Sequence, residues 1–415
     1  MNTLDDHHGS AAAERLHTHR QQFPALGNKV YFNFGGQGPL PQTARLAIQQ
    51  AYDYIQQEGP FSGRALDWIV AQVAETRQAI AAELSVAPDT ISLTESVSVG
   101  CNIALWGIDW HSGDHLLLSD CEHPGIVAAA NQLQQRFGVE VSTFPLQSTL
   151  NGGDPVAIVA EHLRPTTRLV VVSHILWNTG QVLPLKEMVQ VCHTYASRPV
   201  AVLVDAAQSV GVLPLDLQDL GADFYAFTGH KWWCGPDGLG GLYVHPQACE
   251  QLHPTFIGWR GIVSNEFGTP IGWKPDGRRF EVATSAFPLC AGLRTALQLH
   301  QTWGTAMERY QRICALSQYL WQQLQSLSGL QCLRQTPPQA GLISFQIGGF
   351  SSPISNRQHH VRLVQWLEAQ HLLVRLILAP HCVRACVHYF SLESECDRLV
   401  AALDEFLNSI CQGSI

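Results

Sequence analysis

Charge is what this sequence has least of. Asp, Glu, Lys and Arg make up 14% of its 415 residues against 46% hydrophobic, a dry composition for a soluble protein that predicts surface covered in an oligomer. The formal charge of -9 excludes nucleic acid and anionic membrane as partners, since neither phosphate-rich surface attracts it. No apolar run reaches transmembrane length, and the first residues carry His7, His8, Glu14 and Arg15 where a signal peptide needs an apolar stretch. The twelve cysteines form no CxxC pair and no regular ladder, which reads as reduced cytosolic thiols. Internal repeats and low-complexity segments are missing too. These absences leave a cytoplasmic protein that acts on small molecules and holds no metal.

Length and pattern predict two parts. A chain of 415 residues exceeds one ordinary core. Residues 1–30 are polar and read as an arm packing on the smaller domain, 31–290 as a large domain, and 291–415 as a small α+β domain entered through a linking helix. A strand at 30–34 runs into Gly35-Gly36-Gln37-Gly38-Pro39, where backbone can approach a neighbour closely. Helical stretches are expected at 42–57 and 61–84. Between 89 and 244, short β-branched runs at 91–93, 115–118, 140–144, 169–172, 200–204, 223–227 and 241–244 alternate with helical segments. That alternation gives right-handed βαβ units and a mostly parallel sheet, with ligands beyond the carboxyl ends of its strands. Beyond it come one long helical run over 290–328, strands at 341–346 and 383–390, and a closing helix from Glu393.

Two runs carry chemistry. Ala201-Val202-Leu203-Val204-Asp205 sets an acid straight after four apolar residues at the carboxyl end of a strand; alone, a helix-capping Asp would serve equally well. Thr228-Gly229-His230-Lys231-Trp232-Trp233 sets a lysine between a histidine and two tryptophans, where poor hydration lowers its pKa toward the neutral amine that forms imines. The two residues follow neighbouring strands and so project into one crevice. An acid for a pyridinium N–H and a Schiff-base lysine are what pyridoxal 5'-phosphate (PLP) requires.

With these motifs the chain resembles the class V aminotransferases of PLP fold type I, the family of cysteine desulfurases, isopenicillin-N epimerase-like proteins and cystine C–S lyases of cyanobacterial type. The resemblance runs from about residue 31 to 407, and its signature adds Gly235-Pro236-Asp237-Gly238-Leu239-Gly240 to the lysine motif. It implies an α/β fold with a large domain built on a mostly parallel mixed sheet. It also implies that Asp205 binds the pyridine nitrogen, Gln208 the phenolic oxygen, and Thr228 and His230 the phosphate, while His123 stacks on the ring and assists proton transfer. Ser98 with the Val97 amide would hold the phosphate at a strand-to-helix turn; the family's Gly-Thr-Thr is Ser96-Val97-Ser98 here, so the middle position lacks its hydroxyl and that contact is backbone only. Thr284 matches a phosphate ligand given by the partner subunit, so a homodimer with shared active sites is implied.

The reaction class follows from the substrate side. An α-carboxylate is best met by a bidentate guanidinium; Arg384 resembles the family's carboxylate-binding arginine and Arg375 is a second candidate, with surface arginine its plain alternative. Desulfurases insert between these arginines a loop bearing a nucleophilic cysteine. Here only residues 376–383 intervene, and the nearest thiol, Cys382, lies on the Arg384 strand. Asn178, in Trp177-Asn178-Thr179-Gly180-Gln181, is a candidate for the substrate carboxylate or the phenolic oxygen, and Trp259 for a wall of the pocket. The expected enzyme is a PLP-dependent carbon–sulfur lyase for an amino-acid substrate: it splits cystine, and cysteine more slowly, to pyruvate, ammonia and a persulfide, with Lys231 as base. The persulfide would feed iron–sulfur clusters through an acceptor protein. A cysteine desulfurase, an epimerase or aminotransferase, and a non-catalytic binding protein on the same fold remain the alternatives.

Overall fold

The computed structural model describes residues 14–348 and 353–411. A helical segment over 14–21 precedes helices α1 (Gln42–Glu58) and α2 (Gly63–Leu84). Then strands and helices alternate: β1 (Ile91–Thr94), α3 (Val97–Gly107), β2 (His115–Ser119), α4 (Pro124–Phe137), β3 (Glu140–Phe144), α5 (Pro155–His162), β4 (Thr167–Ser173), α6 (Leu185–His193), β5 (Ala201–Asp205), β6 (Phe224–Thr228) and β7 (Gly240–Val244). They form a seven-stranded sheet in the order β1-β7-β6-β5-β4-β2-β3, in which only β7 runs against the rest. Every residue of β1, β2, β6 and β7 is buried. Helices cover both faces of such a sheet, and its strands therefore read as near-continuous apolar runs rather than alternating ones.

The later elements are α7 (Pro288–Trp303), α8 (Ala306–Gln325), β8 (Leu330–Cys332), β9 (Leu342–Ile347), α9 (Pro353–Ala369), β10 (Arg375–Leu378), β11 (His381–Cys386) and α10 (Glu393–Cys411). Their four strands form an antiparallel sheet in the order β8-β9-β11-β10. It has its own apolar cluster, with Leu320, Phe345, Val383, Leu399 and Phe406 all buried.

Three expectations differ from what is seen. The helical run over 290–328 is two helices, because Thr305 caps a fresh start: its hydroxyl accepts from Glu308 N, and the Glu308 carboxylate accepts from Thr305 N. The strand expected at 30–34 makes a ladder only over Val30–Tyr31, against Leu372–Leu373, with a single further bridge from Asn33 to Cys386, and Phe32 and Phe34 sink into apolar clusters. The strand expected at 383–390 ends at Cys386, after which His388, Tyr389 and Phe390 pack as rings.

Candidate active site

Strands β2, β4, β5 and β6 end in Ser119, Ser173, Asp205 and Thr228, all at one edge of the sheet. A cleft of about 320 Å³ opens there and is closed on its far side by the β10–β11 hairpin. A larger cleft, about 610 Å³, lies at the opposite edge around the strand starts at Ala201 and Phe224, and is lined by Arg168, His193 and Arg198. It holds neither a lysine nor an unpaired buried acid, so volume alone does not locate the chemistry.

Asp205 and Lys231 both line the smaller cleft, one from the end of β5 and one from the loop after β6. Asp205 Oδ1 accepts from Ala207 N at 2.9 Å. Burial pushes its pKa up, against the Ala207 N–H and the charges of Lys231 and His123, so a cationic partner is what this carboxylate lacks. Lys231 is partly exposed, toward the cleft, yet deep enough that burial lowers it to about 8; Asp205 opposes the shift and Arg384 adds to it. That is an amine poised to exchange a proton near neutrality.

The other end of the cleft is built for an anion. Ser96 caps α3, and Ser96, Val97 and Ser98 line the cleft where the first N–H groups of that helix have no intrahelical partner. His230 lines it too, with Nδ1 at 2.7 Å from Thr228 Oγ1; Thr228 itself is fully buried behind that ring and reaches the cleft through it. Between the two ends, His123 caps α4 through Nδ1, which accepts from Gly125 N, and sets its ring edge-on to Trp177 at 5.6 Å. Gln208 accepts from the Trp232 indole at 2.9 Å and donates to Gly35 O at 2.9 Å, leaving one amide hydrogen for a ligand.

On the hairpin, Arg375 and Arg384 stand directly opposite each other in register and both line the cleft. Arg384 is 2% exposed; its Nη1 donates to Trp177 O at 2.6 Å and its buried Nε has no partner. Gly35 packs so close that a Cβ there would fall 2.8 Å from Arg384 Nη2 and 3.0 Å from Gln208 Oε1. The orphaned guanidinium atom, the glycine cradle, the carboxylate without a cation and the helix start together fit PLP with an amino acid on it. Asp205 suits the ring nitrogen, Ser98 and His230 the phosphate, and Lys231 the aldehyde carbon.

Not every expected residue reaches the cleft. Asn178 turns its amide to Ala379 O at 3.0 Å, while its own carbonyl accepts from Ser344 Oγ at 2.7 Å; it ties down the hairpin instead of lining the cavity. Trp259 is 57% exposed and lines a separate cavity with Arg77 and Phe287. Thr284 is exposed and does not line this cleft. Among the described residues no cysteine lines the cleft. Cys382 is fully buried, its thiol pushed up to about 12 by burial.

Two residues escaped the motif reading. Trp177 joins His123 to Arg384 through its ring and its carbonyl. Glu122 is buried beneath the cleft, accepting from Ser119 Oγ and from Ser173 N, and burial raises it to about 8. Its only sequence signal is adjacency to His123.

Comparison with known proteins identifies the family. The family model described as aminotransferase class-V matches residues 30–399. An isopenicillin N epimerase of Streptomyces clavuligerus is 27% identical over 90% of this chain and 94% of its own. A probable cysteine desulfurase of Methanothermobacter thermautotrophicus is 27% identical over 93% and 96%. Among solved structures, the cystine C–S lyase C-DES in complex with its reaction product cysteine persulfide is 52% identical, with a TM-score of 0.89 over 93% of this chain and 100% of that one. A mutant of C-DES with glycine covalently linked to the PLP cofactor superposes with a TM-score of 0.90 at the same identity.

Proposed function

The chain belongs to the class V aminotransferase family and is a PLP-dependent enzyme of the carbon–sulfur lyase and desulfurase kind; from that premise we propose that it cleaves L-cystine by β-elimination. With one water, cystine gives pyruvate, ammonia and thiocysteine: the Cα–H and one Cβ–S bond break, and the S–S bond leaves intact as the persulfide. Cysteine is the slower substrate, because hydrogen sulfide is a poorer leaving group than a persulfide anion. The persulfide is the product we propose to be passed toward iron–sulfur assembly.

The residues divide the work. Arg384, with Arg375 across the hairpin, takes the substrate carboxylate and fixes which Cα substituent faces Lys231. Lys231 takes the Cα proton; at a pKa near 8 it is neutral in a substantial fraction at physiological pH. Asp205 holds the proton of the pyridine nitrogen, and His123 bounds the opposite face. When bound, PLP supplies an electron sink for the charge left at Cα. The Trp177 indole and the hairpin keep water from that carbon until the sulfur has left.

The observation that carries the reading is the tightness of the β10–β11 hairpin. Only Ala379 and Pro380 join its strands, and the four pairs from Arg375↔Arg384 to Leu378↔His381 stay in register, so no mobile loop can bring a thiol to the substrate sulfur. A persulfide must therefore leave as a small molecule. We also propose a homodimer with shared sites. Thr284, which misses its own cleft, follows a segment that exposes Phe256, Ile257, Phe267, Ile271 and Trp273, apolar side chains that a second copy would cover.

The test is product analysis on the purified holoenzyme given cystine. Pyruvate and persulfide in equal amounts are expected, with activity retained in Cys382→Ser. Alanine with sulfur bound on the protein would make it a desulfurase, and D-amino acid or oxo-acid exchange without pyruvate would make it an epimerase or aminotransferase.

A further inference from the structure

Past Lys231 the chain turns sharply through Trp232, Trp233 and Cys234. Cys234 N donates to Lys231 O at 3.0 Å, and Cys234 itself sits at φ 50°, in the left-handed region. The loop has no ladder neighbour, so the carbonyls of the two buried tryptophans need donors from elsewhere. Two histidines supply them. His388 Nε2 lies 2.9 Å from Trp232 O, and His300 Nε2 lies 2.8 Å from Trp233 O.

A carbonyl only accepts, which fixes the tautomer of both rings: each carries its hydrogen on Nε2 and accepts on Nδ1. His388 Nδ1 takes Tyr389 N at 3.0 Å, and His300 Nδ1 takes the Tyr389 hydroxyl at 2.6 Å. Having given its one proton, Tyr389 Oη accepts from His19 Nε2 at 2.8 Å. The result is a one-way chain of donors, His19 to Tyr389 to His300 to the Trp233 carbonyl. Burial keeps the three rings neutral, pushing His19 down to about 4, His388 to about 3, and His300 well below the usual histidine range.

His19 lies on the helical segment 14–21, ahead of both sheets in sequence. Arg20 fastens that segment to the Glu395 carboxylate at 2.6 Å and to Phe390 O at 2.6 Å, and Phe23 stacks on Phe390 at 4.5 Å. None of His19, Tyr389, His300 and His388 lines the cleft.

We propose that the N-terminal arm is a working part of the lysine site: His19, Tyr389 and His300 are positioning residues that lock the backbone of the Lys231 turn and thereby set where the lysine nitrogen stands relative to Asp205 and the substrate Cα. The inference rests on Lys231 being the cofactor-bearing base. A lysine side chain is flexible, so its reach is defined only if its Cα is held, and small displacements at a reacting centre are costly. A network of this kind has effect only when every member is satisfied; removing the first donor leaves Tyr389 Oη short of a partner and loosens its hold on His300 Nδ1.

The experiment compares holoenzymes of His19→Leu, His19→Gln, Tyr389→Phe and Lys231→Ala with the wild type. It reads the pH midpoint of the visible absorbance of the lysine-bound cofactor, together with kcat and KM for cystine. His19→Leu and Tyr389→Phe are expected to move the midpoint by about half a pH unit or more. They should also lower kcat on the order of tenfold while KM stays within about twofold. His19→Gln, whose amide donates over a similar reach, is expected to stay near wild type. An unmoved midpoint in His19→Leu, or equal damage from Gln and Leu, overturns the proposal; if Tyr389→Phe does not fold, the His19 pair decides alone. Covalently bound cofactor persisting in Lys231→Ala would overturn the lysine assignment instead, and separately.

Discussion

At the scale of single residues, the informative feature is where a charge lies and what it lacks. Lysine occurs only at positions 29, 186, 231 and 274, and one of the four stands in a cleft opposite a buried carboxylate. The Asp205–Lys231 pair was legible in the sequence because both residues follow apolar runs that had to be neighbouring strands. Arg384 was legible as a residue but not as an environment: its guanidinium leans on Trp177 O with Nε left free. Arg384→Lys keeps the charge and loses the fork, so kcat/KM for cystine should fall roughly ten- to hundredfold, the worth of one charged hydrogen bond. The visible spectrum of the holoenzyme should stay the same. Steady-state kinetics beside an absorbance scan checks this; unchanged kcat/KM would remove Arg384 from substrate binding.

At the scale of elements, the proposed chemistry rests on the β10–β11 hairpin, which is braced by a segment 201 residues earlier. Asn178 Nδ2 holds Ala379 O at the hairpin turn, and Ser344 Oγ on β9 holds Asn178 O. Sequence reading put Asn178 on the substrate because it sits in a motif; which way its amide turns depends on a strand that packs only after the two sheets meet. Asn178→Ala is expected to cost about 1 kcal/mol of stability, the usual worth of a hydrogen bond. It should also raise KM severalfold with kcat nearly kept, as measured by urea unfolding and initial rates. A raised KM with unchanged stability would return Asn178 to direct substrate contact. The split between α7 and α8 is the converse case: Gly304-Thr305 and Glu308 were a readable capping box inside a run whose periodicity alone argued for continuity.

At the scale of the whole molecule, the low charge content has a counterpart in histidine. Burial holds His19, His115, His174 and His360 down to about 4, and His388 to about 3. In the unfolded chain each returns to about 6.5 and binds a proton the folded state refuses, so stability is full above pH 6.5 and is lost as pH falls toward 4. Arg309 and Arg15 lie close enough to His388 and His19 to reinforce the trend. The urea midpoint should drop steeply between about pH 6.5 and 4.5 while changing little between 6.5 and 7.5. A flat profile across the acid range would mean that these rings are hydrated in solution.

The sequence alone determined the α/β architecture and the meeting of Asp205 and Lys231 in one cleft at the carboxyl edge of the sheet. Both depend on local order, since apolar runs, their spacing and the residue that ends each run are properties of contiguous chain. Only the tertiary structure decided that Arg375 and Arg384 share one tight hairpin and that Asn178 braces it. It also decided that Glu122 is buried and that a histidine from the N-terminal arm is linked to the backbone beside Lys231. Those facts require segments up to 370 residues apart to meet, as His19 and Tyr389 do. The direction and burial of a polar side chain are set by the surface it meets, which no stretch of sequence contains.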